Sequence, residues 1–361
     1  MDAEKKTQIQ AHARALAALL YEETDPEQVK TLAGIEAAVR GHLLEHVSPE
    51  IGGFFIATSS GTTSGRKRSL DSILGRLHVS EKQAQILGVT AYTRWSPYLE
   101  QCCLLVSANE SYERAAEDIQ LLTGIKVSHS TQQRLVHRQI FELPQVEESV
   151  EEMSIDGGKV RLRTSQGQPS EWRDYKAVNL HESCVAAFFQ DNEQLVRWVN
   201  VQSLSDPLTC IGDGHVRLWR SEALGIWNVY TQIGNQTQRR EILDWYHLVE
   251  NLGKVGGSVQ RSDAVEACLW QGDVEGAIAQ FEDWQHERVT NFVSYLNKHR
   301  QRIVNYDYYQ AEGVSMGSGA VESTVKQLGR RIKISGAQWD KANVPQVLKQ
   351  RCAYLNGQFS T

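Results

Sequence analysis

The first part of the chain has a helical pattern of apolar residues. Apolar side chains recur every three or four positions between residues 3 and 47, which predicts helices. These positions are Ile9, Ala13, Leu16, Leu20, Leu32, Ile35, Val39 and Leu43. Within this region Asp25 stands directly before Pro26, and this pair predicts a helix start that Asp25 caps.

The pattern then changes to a polar loop and later returns to helical spacing. Residues 57–69 are rich in Gly, Ser and Thr and predict a loop, whereas the weak alternation of residues 70–80 predicts a short strand. Residues 96–106 and 111–122 again show helical spacing. Together these segments indicate a helical N-terminal region.

Alternating apolar and polar positions become frequent after residue 150. Residues 153–163 alternate through Gly157-Gly158, which predicts a hairpin that turns at the two glycines. The pattern also predicts strands over residues 172–184, 185–190 and 207–213, and helices over residues 238–310, 319–334 and from residue 344 onward. Strands followed by helices predict an α+β chain whose second part is a mixed α/β domain.

Composition limits the class of protein. The chain has 361 residues, of which 41% are hydrophobic and 23% charged, as expected for a globular protein of two or three domains. Its six cysteines form no C-x-x-C pair, so we expect a reduced, cytoplasmic protein without a disulfide framework or structural zinc site. The polar N-terminus predicts no signal peptide, and the lack of a long apolar stretch predicts no membrane span.

The net charge of −6 argues against a nucleic-acid-binding protein, since such proteins usually carry a basic surface. The charge is unevenly distributed, however. Residues 61–140 carry 10 basic and 7 acidic side chains, and residues 291–361 carry 10 basic and 4 acidic ones. Either segment could therefore bind DNA phosphates, and such binding should be strongly sensitive to salt.

Residues 111–139 have the pattern of a helix-turn-helix. A first helix ends at a tight turn at Gly124, which tolerates a positive φ, and Ser128 caps a second helix. The buried face of the first helix is predicted to consist of Ala115, Ala116, Ile119 and Leu122. The second helix is predicted to present Ser130, Gln132, Gln133, Arg134, His137 and Arg138 outward, where Gln and Arg can contact bases or phosphates. A plain two-helix hairpin is the alternative.

Two further groups of basic residues are candidates for DNA contact. Arg66, Lys67 and Arg68 end the polar loop and could contact phosphates, although a solvated loop with ordinary charges is the alternative. The second group lies near the C-terminus and consists of Lys326, Arg330, Arg331 and Lys333.

Three acidic residues stand at places suited to metal binding. Asp156 and Asp213 each end an apolar stretch and precede a glycine, which leaves room for a ligand. Glu322 lies in an early turn of a helix that begins near Ser318, with Lys326 four residues further on. Carboxylates from distant parts of a chain can hold two Mg²⁺ ions for phosphodiester chemistry, whereas each acid taken singly could be a turn or cap residue.

A fourth acid is paired with a histidine. Asp244 and His247 are three residues apart on a predicted helix and therefore share a face. His247 could be a metal ligand, a proton carrier or a phosphate contact, or the pair could form an ordinary hydrogen bond on the helix surface.

Seven segments carry a resemblance to a known family. They are Ser-Ile-Asp-Gly-Gly-Lys-Val-Arg-Leu-Arg at 154–163, Tyr-Lys-Ala-Val-Asn-Leu at 175–180, Gly-Asp-Gly-His at 212–215, Ile-Leu-Asp-Trp-Tyr-His-Leu-Val-Glu-Asn-Leu at 242–252, Gly-Ser-Gly-Ala-Val-Glu-Ser at 317–323, Arg-Arg-Ile-Lys-Ile-Ser-Gly-Ala-Gln-Trp at 330–339 and Arg-Cys-Ala-Tyr-Leu-Asn-Gly at 351–357. In this order the chain resembles the DDE transposases of bacterial insertion sequences, of the ISKra type related to Mutator-like transposases. In that family Ile-Trp-Asn closely follows Gly-Asp-Gly-His, whereas here residues 216–225 intervene.

The resemblance implies a domain organisation and a site. It implies an RNase H-like DDE catalytic domain over residues 151–361 with a helical insertion at about 248–312, after a helical arm (1–69) and the helix-turn-helix region (70–150). Asp156, Asp213 and Glu322 would be the catalytic acids that bind two Mg²⁺ or Mn²⁺ ions. Asp244 and His247 match a further Asp-x-x-His element of Mutator-like enzymes.

The implied function is transposition of an insertion sequence. The protein would bind terminal inverted repeats and target DNA, as a homodimer or higher oligomer in the bacterial nucleoid, and would cleave and join strands. Two alternatives stay open: a catalytically inactive or domesticated helix-turn-helix DNA-binding protein, and an RNase H-fold nuclease that cuts without joining.

Overall fold

Helices surround a five-stranded sheet and accompany a separate two-stranded sheet, so the predicted α+β class is confirmed. The computed structural model describes residues 1–181, 183–213, 226–235 and 237–359. By their contacts these residues form two units, Met1–Leu135 and Val136–Thr361. Along the described ranges, no helix is both long and apolar enough to cross a membrane.

The first unit is mainly helical. Its helices are α1 (Ala3–Glu22), α2 (Leu32–His42), α3 (Ser48–Ser60), α4 (Glu81–Ile86), α5 (Pro97–Ser107) and α6 (Tyr112–Thr123), with a π-helical turn at Leu43–Val47. The hairpin consists of β1 (Lys67–Ser72) and β2 (Gly75–Ser80). Helix α7 (His129–Arg138) crosses the boundary between the units. A small core of Leu70, Leu77, Val79 and Ala84 supports the hairpin.

Local details of this unit differ from the sequence predictions. The helix start at Asp25 is wrong, because α2 begins at Leu32 and is capped by Thr31, whose side chain accepts a hydrogen bond from the Gly34 amide. The predicted single strand over residues 70–80 is a hairpin, and Gly75 allows its turn because it has a φ of +88°.

The second unit is built on a mixed sheet. Its strands are β3 (Val150–Leu162), β4 (Glu171–Leu180), β5 (Cys184–Phe189), β6 (Leu204–Gly212) and β7 (Arg240–Leu243), in the spatial order β5-β4-β3-β6-β7. Strands β3, β6 and β7 are parallel to one another, whereas β4 is antiparallel to both β3 and β5. The parallel group therefore brings the carboxyl ends of β6 and β7 to the same edge of the sheet.

Two predictions for the sheet are wrong. The chain does not turn at Gly157-Gly158, because β3 continues through both glycines to Leu162. Gly158 instead permits a close approach of Tyr175, whose ring occupies the space that a side chain at this position would need. Strand β7 was also missed, since its four residues precede a long helical pattern.

Helices cover both faces of the sheet and follow β7. One face packs against α15 (Gly319–Ile332) and α16 (Val344–Leu355), and the other packs against α8 (Asn192–Asn200) and α9 (Ile226–Tyr230). The segment between β7 and α15 forms α10 (Trp245–Val255), α11 (Val259–Trp270), α12 (Val274–Ala279), α13 (Glu287–His299) and α14 (Tyr306–Ala311). The predicted helical character of this segment is confirmed, and its helices enclose a core of their own.

Candidate functional site

Three carboxylates lie at the same level on the three parallel strands. Asp213 directly follows β6 and Asp244 directly follows β7, and the preceding residues Gly212 and Leu243 are register partners. Asp156 lies two residues beyond Ser154, whose register partner is Ile211, two residues before Asp213. Because neighbouring strands are about 4.8 Å apart, this register brings acids from distant parts of the chain together.

Helix α15 brings Glu322 to the same region. Glu322 lies in the first turn of α15, as predicted. The Asn179 side-chain amide donates to the Thr324 hydroxyl at 3.1 Å, and Asn179 is the register partner of Ser154. This bond ties the second turn of α15 to β4, at the level of the part of β3 that precedes Asp156.

Asp244 fastens the start of α15 to the start of α10. Its side chain is fully buried, and Oδ2 accepts hydrogen bonds of 2.5 Å from both the amide and the hydroxyl of Ser318. Oδ1 accepts a hydrogen bond of 2.9 Å from the His247 amide, so Asp244 also caps α10. Burial raises the pKa of Asp244, but the hydrogen bonds from His247 and Ser318 outweigh burial and leave the pKa lowered.

His247 lies between two carboxylates. Its Nδ1 is 3.4 Å from Asp244 Oδ2 and 3.6 Å from Glu322 Oε1, so the predicted shared face of Asp244 and His247 is confirmed. The hydrogen bond to Asp244 and the charges of Asp244, Asp213 and Glu322 raise the pKa of His247 to about 9, although burial lowers it. The imidazole is therefore cationic at neutral pH in the absence of a metal ion, and it offsets part of the negative charge.

One group of side chains in the described ranges could hold a metal ion. Asp244, His247 and Glu322 each offer one potential ligand atom, and these three atoms lie within 4.8 Å of one another. Asp156 and Asp213 are not members of this group, so the predicted metal set of Asp156, Asp213 and Glu322 stays a prediction. Asp213 nevertheless acts on this group electrostatically, since its negative charge is one of those that raise the pKa of His247.

A buried tyrosine that no sequence pattern predicts links two of the strands. The Tyr230 hydroxyl donates to the Ile211 carbonyl at 2.6 Å and accepts from the Ile155 amide at 2.8 Å. Ile155 immediately precedes Asp156, and Ile211 lies two residues before Asp213. Tyr230 therefore fixes the spacing of β3 and β6 next to their carboxylates.

We expect replacement of Tyr230 by phenylalanine to lower the free energy of unfolding by about 2–4 kcal/mol, because two buried backbone groups lose their partner. Urea denaturation would measure this change. The control is Tyr308→Phe, since Tyr308 is 58% exposed and water can bind its hydroxyl in both the folded and the unfolded state. Equal effects of the two substitutions would contradict the role of the Tyr230 hydroxyl.

The two-helix segment that was predicted to be a helix-turn-helix is partly as expected. Gly124 ends α6 with a φ of +76°, and the Ser128 hydroxyl accepts a hydrogen bond from the Thr131 amide at 3.3 Å. Leu122 is 65% exposed, so its predicted burial is wrong. The prediction that Gln132 faces outward is also wrong, because it shares the buried face of α7 with Leu135 and Val136. Of the other residues predicted to face outward on this helix, Gln133, Arg134 and Arg138 are exposed, whereas Ser130 and His137 are half-buried.

Some of the remaining residues predicted to contact DNA are exposed, and others are not. The exposed ones are Arg66, Lys67, Lys326, Arg330 and Lys333. Lys67 and Arg68 lie in β1 rather than in a loop, and the Arg68 guanidinium donates to the Thr90 carbonyl at 3.0 Å. Arg331 is only 1% exposed and its guanidinium stacks on Trp339, so its assignment to a DNA-binding surface is wrong.

One sequence feature lies outside the described residues. It is the segment over residues 216–225 that separates Gly-Asp-Gly-His from Ile-Trp-Asn.

The chain matches no protein-family model and no curated protein. Functional assignment therefore depends on the residues of the site.

Proposed function

We propose that the chain is a DNA transposase that binds the terminal inverted repeats of its element and performs metal-dependent strand cleavage and strand transfer. The observation that carries this proposal is the placement of acids at one level of three adjacent strands, beside the helix that carries Glu322. Asp156, Asp213 and Asp244 come from three adjacent parallel strands, and Glu322 comes from the first turn of the helix packed on that sheet. Clustered carboxylates are the usual ligands for Mg²⁺ in phosphodiester chemistry.

The topology supports an RNase H-like assignment for the second unit. An order of β5-β4-β3-β6-β7 with one antiparallel strand, and an acid-bearing helix across the face, is the arrangement that such a core requires. Exposed Gln133, Arg134 and Arg138 on α7 support DNA contact by the preceding helical pair.

Asp156, Asp213 and Glu322 would hold the metal ions, as the resemblance implies, and of the two acids in the clustered group Glu322 suits a metal ion better than Asp244 does. Asp244 is fully buried and both of its oxygens accept hydrogen bonds, so its contacts suit a positioning residue. Glu322 is partly exposed, and its partner Lys326 lies 3.6 Å away on the surface. When bound, two Mg²⁺ ions would activate the attacking oxygen and stabilise the leaving oxygen.

The residues around the acids have distinct parts in the proposed reaction. Hydrolysis breaks a phosphodiester bond at the element end and frees a 3′-OH. This 3′-OH then attacks a target phosphodiester in line, forms a new phosphodiester bond and releases the 3′-OH of the cut target strand. Exposed Lys326 and Arg330 on α15 would hold the DNA backbone beside Glu322. His247 would keep a positive charge between Asp244 and Glu322 until the metal ions and DNA bind.

The test uses DNA that carries the genomic sequences flanking the gene. With Mg²⁺ or Mn²⁺, we expect the protein to nick both ends of the element and to produce joined target molecules, because hydrolysis and transfer use the same acids. Gel analysis of end-labelled DNA would measure both products. Nicks without joined products would indicate a nuclease, and binding without nicks would indicate a DNA-binding protein. Cutting with an excess of EDTA would contradict the metal-dependent site.

A further inference from the structure

The first unit carries a fully exposed tyrosine in an unfavourable backbone conformation. Tyr92 is 99% exposed and has a φ of +61°. It is the third residue of a turn in which the Thr93 amide donates to the Thr90 carbonyl at 3.5 Å. Glycine is usual where the third residue of a turn has a positive φ, because a side chain makes this conformation costly. The exposed ring gains no burial that offsets this cost, which points to a role in binding.

The turn is fixed to β1 on both sides of Tyr92. Before Tyr92, the Arg68 guanidinium donates to the Thr90 carbonyl at 3.0 Å. After Tyr92, the Asp71 amide donates to the Arg94 carbonyl at 2.7 Å. Arg68 and Asp71 lie three residues apart on the same strand. Arg68 therefore anchors the turn, and the chain presents Tyr92 at a fixed place beside the hairpin.

The hairpin beside this turn has a basic surface. Residues 66–96 carry six Lys or Arg side chains and two acidic ones. Lys67 and Arg76 project from the same face of the hairpin, because Asp71 lies four residues after Lys67 and is the register partner of Arg76. The exposed basic residues of the stretch are Arg66, Lys67, Arg76, Lys82 and Arg94. This excess of cations favours a ligand that carries phosphate groups.

We propose that Tyr92 and the basic hairpin bind single-stranded DNA. A single strand supplies both partners of this surface, since its phosphates contact Lys67, Arg76 and Arg94 and one of its bases stacks on the Tyr92 ring. A duplex offers the same phosphates, but its bases are already stacked on one another. The choice of DNA rather than RNA rests on the proposed function, whereas the surface uses none of the acids of the second unit.

Fluorescence anisotropy with the full chain in EDTA tests the ring. We expect Tyr92→Ala to weaken binding to a labelled thymidine strand of about 20 nucleotides roughly tenfold, and Tyr92→Phe to bind like the wild type. With a duplex of the same length, Tyr92→Ala should change the affinity by less than about twofold, because phosphate contacts remain. The matched control is Tyr21→Ala, which removes a ring that is 65% exposed on α1 and should leave binding unchanged.

Tyr92→Gly separates binding from folding. Glycine accepts a positive φ, so this variant should unfold at the wild-type midpoint or above it and still bind the strand roughly tenfold more weakly. EDTA prevents metal-dependent cleavage, so the outcome is independent of whether the protein cuts DNA. Wild-type affinity in Tyr92→Gly would overturn the proposal. So would a wild-type protein that prefers a uridine RNA strand, or phosphatidylcholine vesicles containing phosphatidylglycerol, to the DNA strand.

The salt dependence of binding tests the cations. Lys67→Ala should weaken binding to the strand and reduce the slope of log affinity against log salt concentration by about 0.7, the value for one phosphate contact on a single strand. Tyr92→Ala should leave this slope unchanged, since the ring carries no charge. A slope that is the same in Lys67→Ala and the wild type would contradict phosphate contact by the hairpin.

Discussion

Replacing Asp213 by asparagine is expected to reduce nicking of the element ends roughly 10³-fold or more, with strand transfer lost in parallel. The substitution keeps the size of the side chain and removes one negative charge at the carboxyl end of β6. If the carboxylate holds a metal ion, both reactions lose the same ligand. Gel assays with end-labelled flanking DNA and Mg²⁺ would measure each product.

Asp206→Asn is the matched control for this substitution. Asp206 lies near the beginning of the same strand, β6, and its side chain accepts a hydrogen bond from Asn235 at the protein surface. The control should therefore keep full activity, and both variants should keep the wild-type unfolding midpoint within a few degrees. If Asp213→Asn nicks DNA at the wild-type rate, Asp213 does not belong to the catalytic group.

The positions of the acids in the fold could be predicted from the sequence, because the strand end or helix start beside each acid has a local sequence pattern. The apolar stretch before Asp213 predicts a buried strand, and a strand end fixes the position of the next residue. The break at Gly317-Ser318-Gly319 likewise predicts a helix start that places Glu322 in its first turn. The α+β class follows from the same alternation of strand and helix patterns.

Tertiary contacts explain what the sequence could not predict. Gly157-Gly158 resembles a turn, but the glycines serve the approach of Tyr175 from the neighbouring strand. Gln132 is polar and resembles a surface residue, yet the packing of α7 buries the face that it shares with Leu135. The bonds from Asp244 to Ser318 join residues 74 positions apart, and spacing carries no signal for such a pair.

The bonds of Asp244 lead to the second large expected effect. We expect Asp244→Ala to lower the free energy of unfolding by about 3–5 kcal/mol, because it leaves the buried Ser318 groups and the His247 amide without their acceptor. Urea denaturation followed by near-ultraviolet circular dichroism would measure the change.

Asp273→Ala separates the role of the helix cap from that of the link to α15. Asp273 caps α12 in the same way, since its Oδ1 accepts a hydrogen bond from the Gly276 amide at 2.8 Å, but it lies at the surface. Loss of an exposed cap costs about 1 kcal/mol. The excess cost of Asp244→Ala over Asp273→Ala therefore measures the link between α10 and α15. Equal costs would mean that Ser318 keeps its position without Asp244, and that Glu322 is positioned by its contacts with β3 and β4 alone.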